Sequence, residues 1–148
     1  MVLAVTFYDI VVWIHVSAVV AAFGAVFAYP VLYALLRRAS ALPAFHAAQV
    51  AIWSRLVTPA MVLVLLAGIY LASDADLWSE GWVSATIVIL IVLFGIVGML
   101  TGQERRAAEL AARGDPGYNA VASRLRIGAA LAAVLVLAAL FLMVVKPG

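Results

Sequence analysis

Four stretches of this chain contain no Asp, Glu, Lys or Arg, and each is long enough to cross the hydrocarbon of a bilayer. They run from about Ile10 to Leu36, Leu56 to Ser73, Trp82 to Gly102 and Ile127 to Val145. Crossing about 30 Å takes roughly 20 residues of α-helix. Only a helix or a closed barrel satisfies its own backbone polar groups where there is no water. Barrel strands alternate apolar and polar over about ten residues, a pattern these runs lack. The chain of 148 residues is 68% apolar and 11% charged, against about 25% charged in soluble domains. The runs leave no room for a separate soluble domain. The expectation is one all-α domain, a transmembrane four-helix bundle. Connections this short favour up-down-up-down order.

Charge fixes the expected sidedness. Arg37, Arg38 and Arg55 lie between the first two spans, and Arg105, Arg106, Arg113, Arg124 and Arg126 between the last two. Eight of the nine basic residues thus share one side. The other side carries Asp9, Asp74, Asp76 and Glu80, with Lys146 alone against them. Basic loops stay in the cytoplasm, so both termini are expected outside. Trp78 and Trp82 fall at the outer boundary and Trp53 at the inner one, where interfacial aromatics belong. The first run has no basic leader and no small-residue cleavage site, so it is expected to remain as a span. With no cysteine in the chain, disulfide, iron–sulfur and zinc–thiolate chemistry are excluded. The lipid bilayer is the expected partner, a homo-oligomer is open, and nucleic acid is not expected.

The inner connections carry helical signals. Leu42, Phe45, Gln49, Ile52 and Leu56 recur at helical spacing, and Pro43 suits a first turn, which predicts an inner-surface helix over Pro43–Arg55 running into span two. A second helix is expected over Glu104–Arg113, broken by the turn Gly114-Asp115-Pro116-Gly117, with Asn119 as the cap of a short extension into span four. Pro30 and Pro59 each remove a backbone donor near an inner span end and are candidate kinks. Small residues allow helices to approach closely in lipid. Gly98 with Gly102, Gly128 with Ala132 and Gly24 with Ala28 supply such pairs, for packing within the chain or between copies.

His15 is the candidate site, because an ionisable side chain in an apolar span is costly and marks function by default. Tyr8, His15, Ala22 and Tyr29 share one heptad line, with Tyr33 one turn further on. Two readings stand: a histidine that binds haem or a metal, or moves protons, and a neutral histidine hydrogen-bonded to a neighbouring helix. His15 lies roughly 9 Å below the outer boundary at 1.5 Å per residue. That level meets Gly68, Thr86 and Leu140, with Met143 one turn above. Gly68 would leave room for a flat ring, and Met143 could offer its sulfur, since Met/His ligation of haem is an established pattern. His46 falls near the opposite face and reads as an interfacial histidine, unable to serve the same centre. Arg55 reads as a snorkelling side chain. Asp74, Asp76 and Glu80 lack a cation-binding spacing and read as a solvated turn.

Trp13-Ile14-His15-Val16 followed by Phe23-Gly24 resembles the first span of bacterial membrane proteins of the copper-resistance D type and of HemJ-type protoporphyrinogen oxidases. Ser54-Arg55-Leu56-Val57-Thr58-Pro59-Ala60-Met61, with Gly68 downstream, is similar to the second span of the latter. Nearly the whole chain, through Leu142-Met143-Val144-Val145-Lys146-Pro147, resembles a family of bacterial four-span predicted integral membrane proteins. The resemblance implies a four-helix bundle in the bacterial cytoplasmic (inner) membrane and, for the oxidase branch, a haem whose ligand falls on His15. The oxidases carry a lysine and a histidine in their third span. Trp82–Gly102 carries neither, so no enzyme activity is carried over.

The expected function is a haem- or metal-binding bundle with a redox or carrier role. His15 is its ligand, Gly68, Met143 and Tyr29 are further cofactor-binding residues, and haem b is the candidate cofactor. The alternatives are an ion or small-solute transporter or channel, lined by Tyr8, His15, Tyr29, Tyr33, Thr58 and Thr86, and an accessory membrane protein without chemistry.

Overall fold

A computed structural model describes residues 4–147. Helix α1 spans Phe7–Arg38, α2 Leu42–Ile52, α3 Thr58–Asp74, α4 Gly81–Arg113 and α5 Tyr118–Val145. A π-helical turn over Trp53–Val57 joins α2 to α3 without a break. Four helical runs, Phe7–Arg38, Leu42–Asp74, Gly81–Arg113 and Tyr118–Val145, are thus long and apolar enough to cross a membrane. Among the described residues there is no strand. The molecule is an all-α four-helix bundle with one end rich in arginine, here the basic end, and one end carrying Asp74, Asp76 and Glu80, the acidic end.

The helix ends follow local chemistry. At the start of α1, Thr6 Oγ1 accepts the Asp9 N–H at 3.2 Å and Asp9 returns the favour to the Thr6 N–H at 2.9 Å. This reciprocal pair satisfies two otherwise orphaned donors. Helix α4 ends at Gly114, whose φ of 63° is left-handed and nearly strain-free only for glycine. The expected turn over residues 114–117 is present, but Asn119 does not cap α5. The helix already starts at Tyr118, and the Gly117 N–H is held by Asp115 Oδ1 at 2.7 Å instead.

The basic end departs from the expected pair of connecting helices. Glu104–Arg113 is no separate helix; it is the last third of α4, which runs unbroken for 33 residues. Residues 42–52 form α2, which packs along that extension of α4. The π turn has a local cause. Pro59 supplies no N–H, and its ring crowds the carbonyl four residues earlier. The helix widens just upstream, where the Thr58 backbone N–H and hydroxyl both donate to the Trp53 carbonyl, the latter at 2.8 Å. Pro30 is accommodated inside a continuous α1.

Helices α1 and α3 form one intimate pair, α4 and α5 another, and α2 ties the first to the second at the basic end. The core is a column of residues from all of them, including Ala22, Phe23, Val26, Met61, Leu93, Leu100, Leu125 and Ala132. Close approach of α4 and α5 depends on Gly128: a Cβ there would lie 2.7 Å from Leu100 Cδ2. Gly24, Gly98 and Gly102 face open space, so those pairs do not bring helices together within this chain. Trp53, expected at the headgroup boundary, is fully buried in the bundle.

Candidate functional site

At the acidic end, a cavity of about 280 Å³ opens between α1, α3, α4 and the end of α5. His15, Gly68, Thr86 and Met143 all line it, with Tyr8 and Lys146 at its rim. The levels counted along the first three spans therefore meet in space, and span four contributes Met143 instead of Leu140, which does not line this cavity. His15 Nδ1 is buried without a well-formed hydrogen bond, although the Val64 backbone lies near the imidazole. Its ring lies on Gly68: a Cβ added there would come within 3.3 Å of His15 Cε1. The space expected to admit a flat ring is thus taken by the imidazole, and the glycine's role is to seat His15. The Thr86 hydroxyl donates to the Trp82 carbonyl of its own helix at 2.7 Å. Lys146 sits 5.7 Å from the centre of the Trp82 ring, a cation–π distance. Among the described residues no three His, Cys, Asp or Glu side chains come together.

Tyr29 does not belong to this cavity. It shares a face with His15, but fourteen residues put it about 21 Å further along the axis. It sits at the basic end, where it stacks with Tyr33 at 6.4 Å between ring centres and meets Phe45 and Trp53. Between the two ends, Ala22, Val26, Met61 and Val64 are packed to 0–3% exposure. The polar face of α1 is therefore split into two sites separated by these packed apolar side chains. Thr58 and Arg55 are exposed and line neither site.

The basic end holds a polar cluster that the sequence did not announce. His46, far from facing the headgroups, is fully buried, as is Glu104. His46 Nδ1 lies 2.5 Å from Glu104 Oε2, and His46 Nε2 lies 2.8 Å from the Tyr118 hydroxyl. With the carboxylate ionised, Nδ1–H is the donor. Nε2 then accepts from Tyr118 when the imidazole is neutral and donates to it when protonated. One residue each from α2, α4 and α5 thus meets in a single hydrogen-bonded chain. Around it, Glu104 Oε1, Tyr29 Oη, Gln49 Oε1 and Trp53 Nε1 are buried without a well-formed hydrogen bond, the Tyr29 hydroxyl lying near the Glu104 carboxyl. Buried polar atoms are nearly always satisfied, so this concentration marks the cluster as more than packing. A signal was present: Leu93, Val97, Leu100, Glu104 and Ala107 continue one buried stripe of α4 at alternating steps of four and three.

Four membrane-length apolar helices enclosing polar side chains at two depths define a polytopic α-helical integral membrane protein. The chain belongs to the family of predicted integral membrane proteins designated DUF2269, whose sequence model matches residues 9–147. No curated protein and no solved structure matches it. The similarity to copper-resistance D and HemJ-type proteins remains a reading of the sequence alone.

Proposed function

We propose that the protein is a haem-binding membrane bundle with a redox or carrier role, in which His15 would ligate the iron. The observation that carries this reading is the buried His15 imidazole, whose Nδ1 has no well-formed hydrogen bond, in a cavity that also holds the Met143 thioether. An imidazole with a thioether is a known axial pair for haem iron. Donor count separates haem from a bare ion. A bare ion would find two protein donors here, whereas a porphyrin brings four nitrogens and asks the protein for one or two. At about 280 Å³ the cavity falls just below the roughly 300–1,000 Å³ usual for ligand pockets, so haem binding requires it to widen. When bound, the group supplies one-electron chemistry. The chain's own contribution would be to hold the imidazole by its seat on Gly68, to offer the Met143 thioether as a second donor, and to exclude water with Leu65, Leu90 and Val83. By the positive-inside rule the basic end faces the cytoplasm of a bacterial inner membrane, which puts this site near the outer surface.

The test is the visible spectrum of the full chain purified in mild detergent from haem-replete cells. The expected result is a Soret band that is lost in His15→Ala, displaced in Met143→Leu and unchanged in His46→Ala. A colourless protein, or a band indifferent to His15→Ala, overturns the proposal and leaves His15 as a packing residue seated on Gly68.

A further inference from the structure

At the basic end, on the side of the bundle away from α3, the contact between α1 and α5 opens into a groove of about 640 Å³. Its floor is made of small side chains, Ala129, Ala130 and Ala133, and its mouth carries Arg37, Arg38 and Arg126. We propose that this groove binds one anionic glycerophospholipid, with the phosphate among the three arginines and an acyl chain along the alanines.

Three observations support that occupant. First, the charge is unneutralised: the one ion pair among the described residues is His46–Glu104, so none of these arginines is held by a carboxylate. Guanidinium groups suit phosphate because their planar fork donates two hydrogen bonds at once. Second, Arg126 is pre-positioned, its guanidinium carbon lying 5.8 Å from the centre of the Tyr33 ring. That contact lowers the freedom lost on binding. Third, the groove has the depth profile of a lipid. From Arg126 to Ala133 is seven residues, about 10 Å along the axis, and over that distance the lining changes from charged to apolar. A free phosphate would use the mouth and leave the floor empty. Arg105 and Arg113 lie on the same end of the molecule and outside the groove, so they separate a built site from a generally basic surface.

The test is native mass spectrometry of the full chain in neutral detergent, titrated with phosphatidylglycerol, phosphatidylcholine or inorganic phosphate. One phosphatidylglycerol per chain is expected to be retained at least tenfold more tightly than phosphatidylcholine. Arg37→Gln with Arg126→Gln is expected to weaken it about 25-fold, from about fivefold per arginine near a lipid surface. Arg105→Gln with Arg113→Gln is expected to leave it unchanged. Ala130→Leu, on an exposed face of α5, fills the floor without altering charge and is expected to weaken both lipids. Equal retention of the two lipids, an equal loss in the Arg105/Arg113 pair, or full displacement of phosphatidylglycerol by millimolar inorganic phosphate would each overturn the proposal. If Ala130→Leu fails to elute as a folded species, the two arginine pairs decide the matter alone.

Discussion

Removing either member of the His46–Glu104 pair should destabilise the bundle far more than an ordinary interhelical hydrogen bond does. Bonds between membrane helices average about 0.6 kcal/mol, because the unfolded chain in lipid finds other partners. This pair differs in that both side chains are fully buried and the bond joins ionisable groups. Such bonds contribute about 1.5–3 kcal/mol, and stripping one partner from a buried charge costs about 3–5 kcal/mol. The two single variants are not equivalent. Glu104 Oε1 forms no well-made hydrogen bond, with only the Tyr29 hydroxyl near the carboxyl, so His46→Ala removes the carboxyl's one strong partner, and about 3 kcal/mol is expected. Glu104→Ala leaves His46 its bond to Tyr118, and about 2 kcal/mol is expected. Glu104→Gln keeps an acceptor for Nδ1–H and should cost about 1 kcal/mol. In a double-mutant cycle the pair should couple by about 2 kcal/mol, read from unfolding in mixed micelles of mild detergent and dodecyl sulfate followed by circular dichroism. Additivity within about 0.5 kcal/mol, the behaviour of distant sites, would refute the view that this contact ties α2 to α4.

Tyr118→Phe removes only the partner of His46 Nε2 and should cost about 1 kcal/mol in the same assay; a loss matching that of His46→Ala would mean that the tyrosine, and not the carboxyl, anchors the imidazole. Gly128→Ala places a methyl group 2.7 Å from Leu100 Cδ2, and Leu100 is itself buried, so overpacking should cost about 1–3 kcal/mol. Gly98→Ala and Gly102→Ala meet open space and should be neutral or stabilising by up to about 1 kcal/mol through helix propensity; a shift to smaller assemblies on size-exclusion chromatography would instead assign those glycines to contacts between copies.

The four spans were legible because hydrocarbon imposes a length and forbids charge, two constraints a sequence states openly. The meeting of His15 with Gly68, Thr86 and Met143 was legible for a related reason. Helices are rods of fixed rise, and residues counted inward from a common boundary arrive at a common depth. The same counting, applied to depth but not to face, was silent on the basic end. Glu104 precedes Arg105 and Arg106, and beside two exposed charges it looks solvated. Its place on the Leu93–Ala107 stripe emerges only when α4 is carried past the last apolar residue. Trp53 and His46 were assigned by their distance from a span end, where tryptophan and histidine commonly meet headgroups, but α2 covers that end and takes both inside. Tyr29 was joined to His15 by a shared face, and the rise of the helix separates them.

Helix α4 is longer than the membrane is thick. With Gly81 at one edge of the acyl region, Glu104 lies about 35 Å along the axis, beyond the roughly 30 Å that hydrocarbon fills. The dryness around Glu104 is consequently the protein's own work, walled by α2 and α5 where lipid has already given out. Moving the protein between thick and thin membranes should leave that walled chamber indifferent while it stretches or squeezes the pocket around His15, which lies within the apolar part of the bundle.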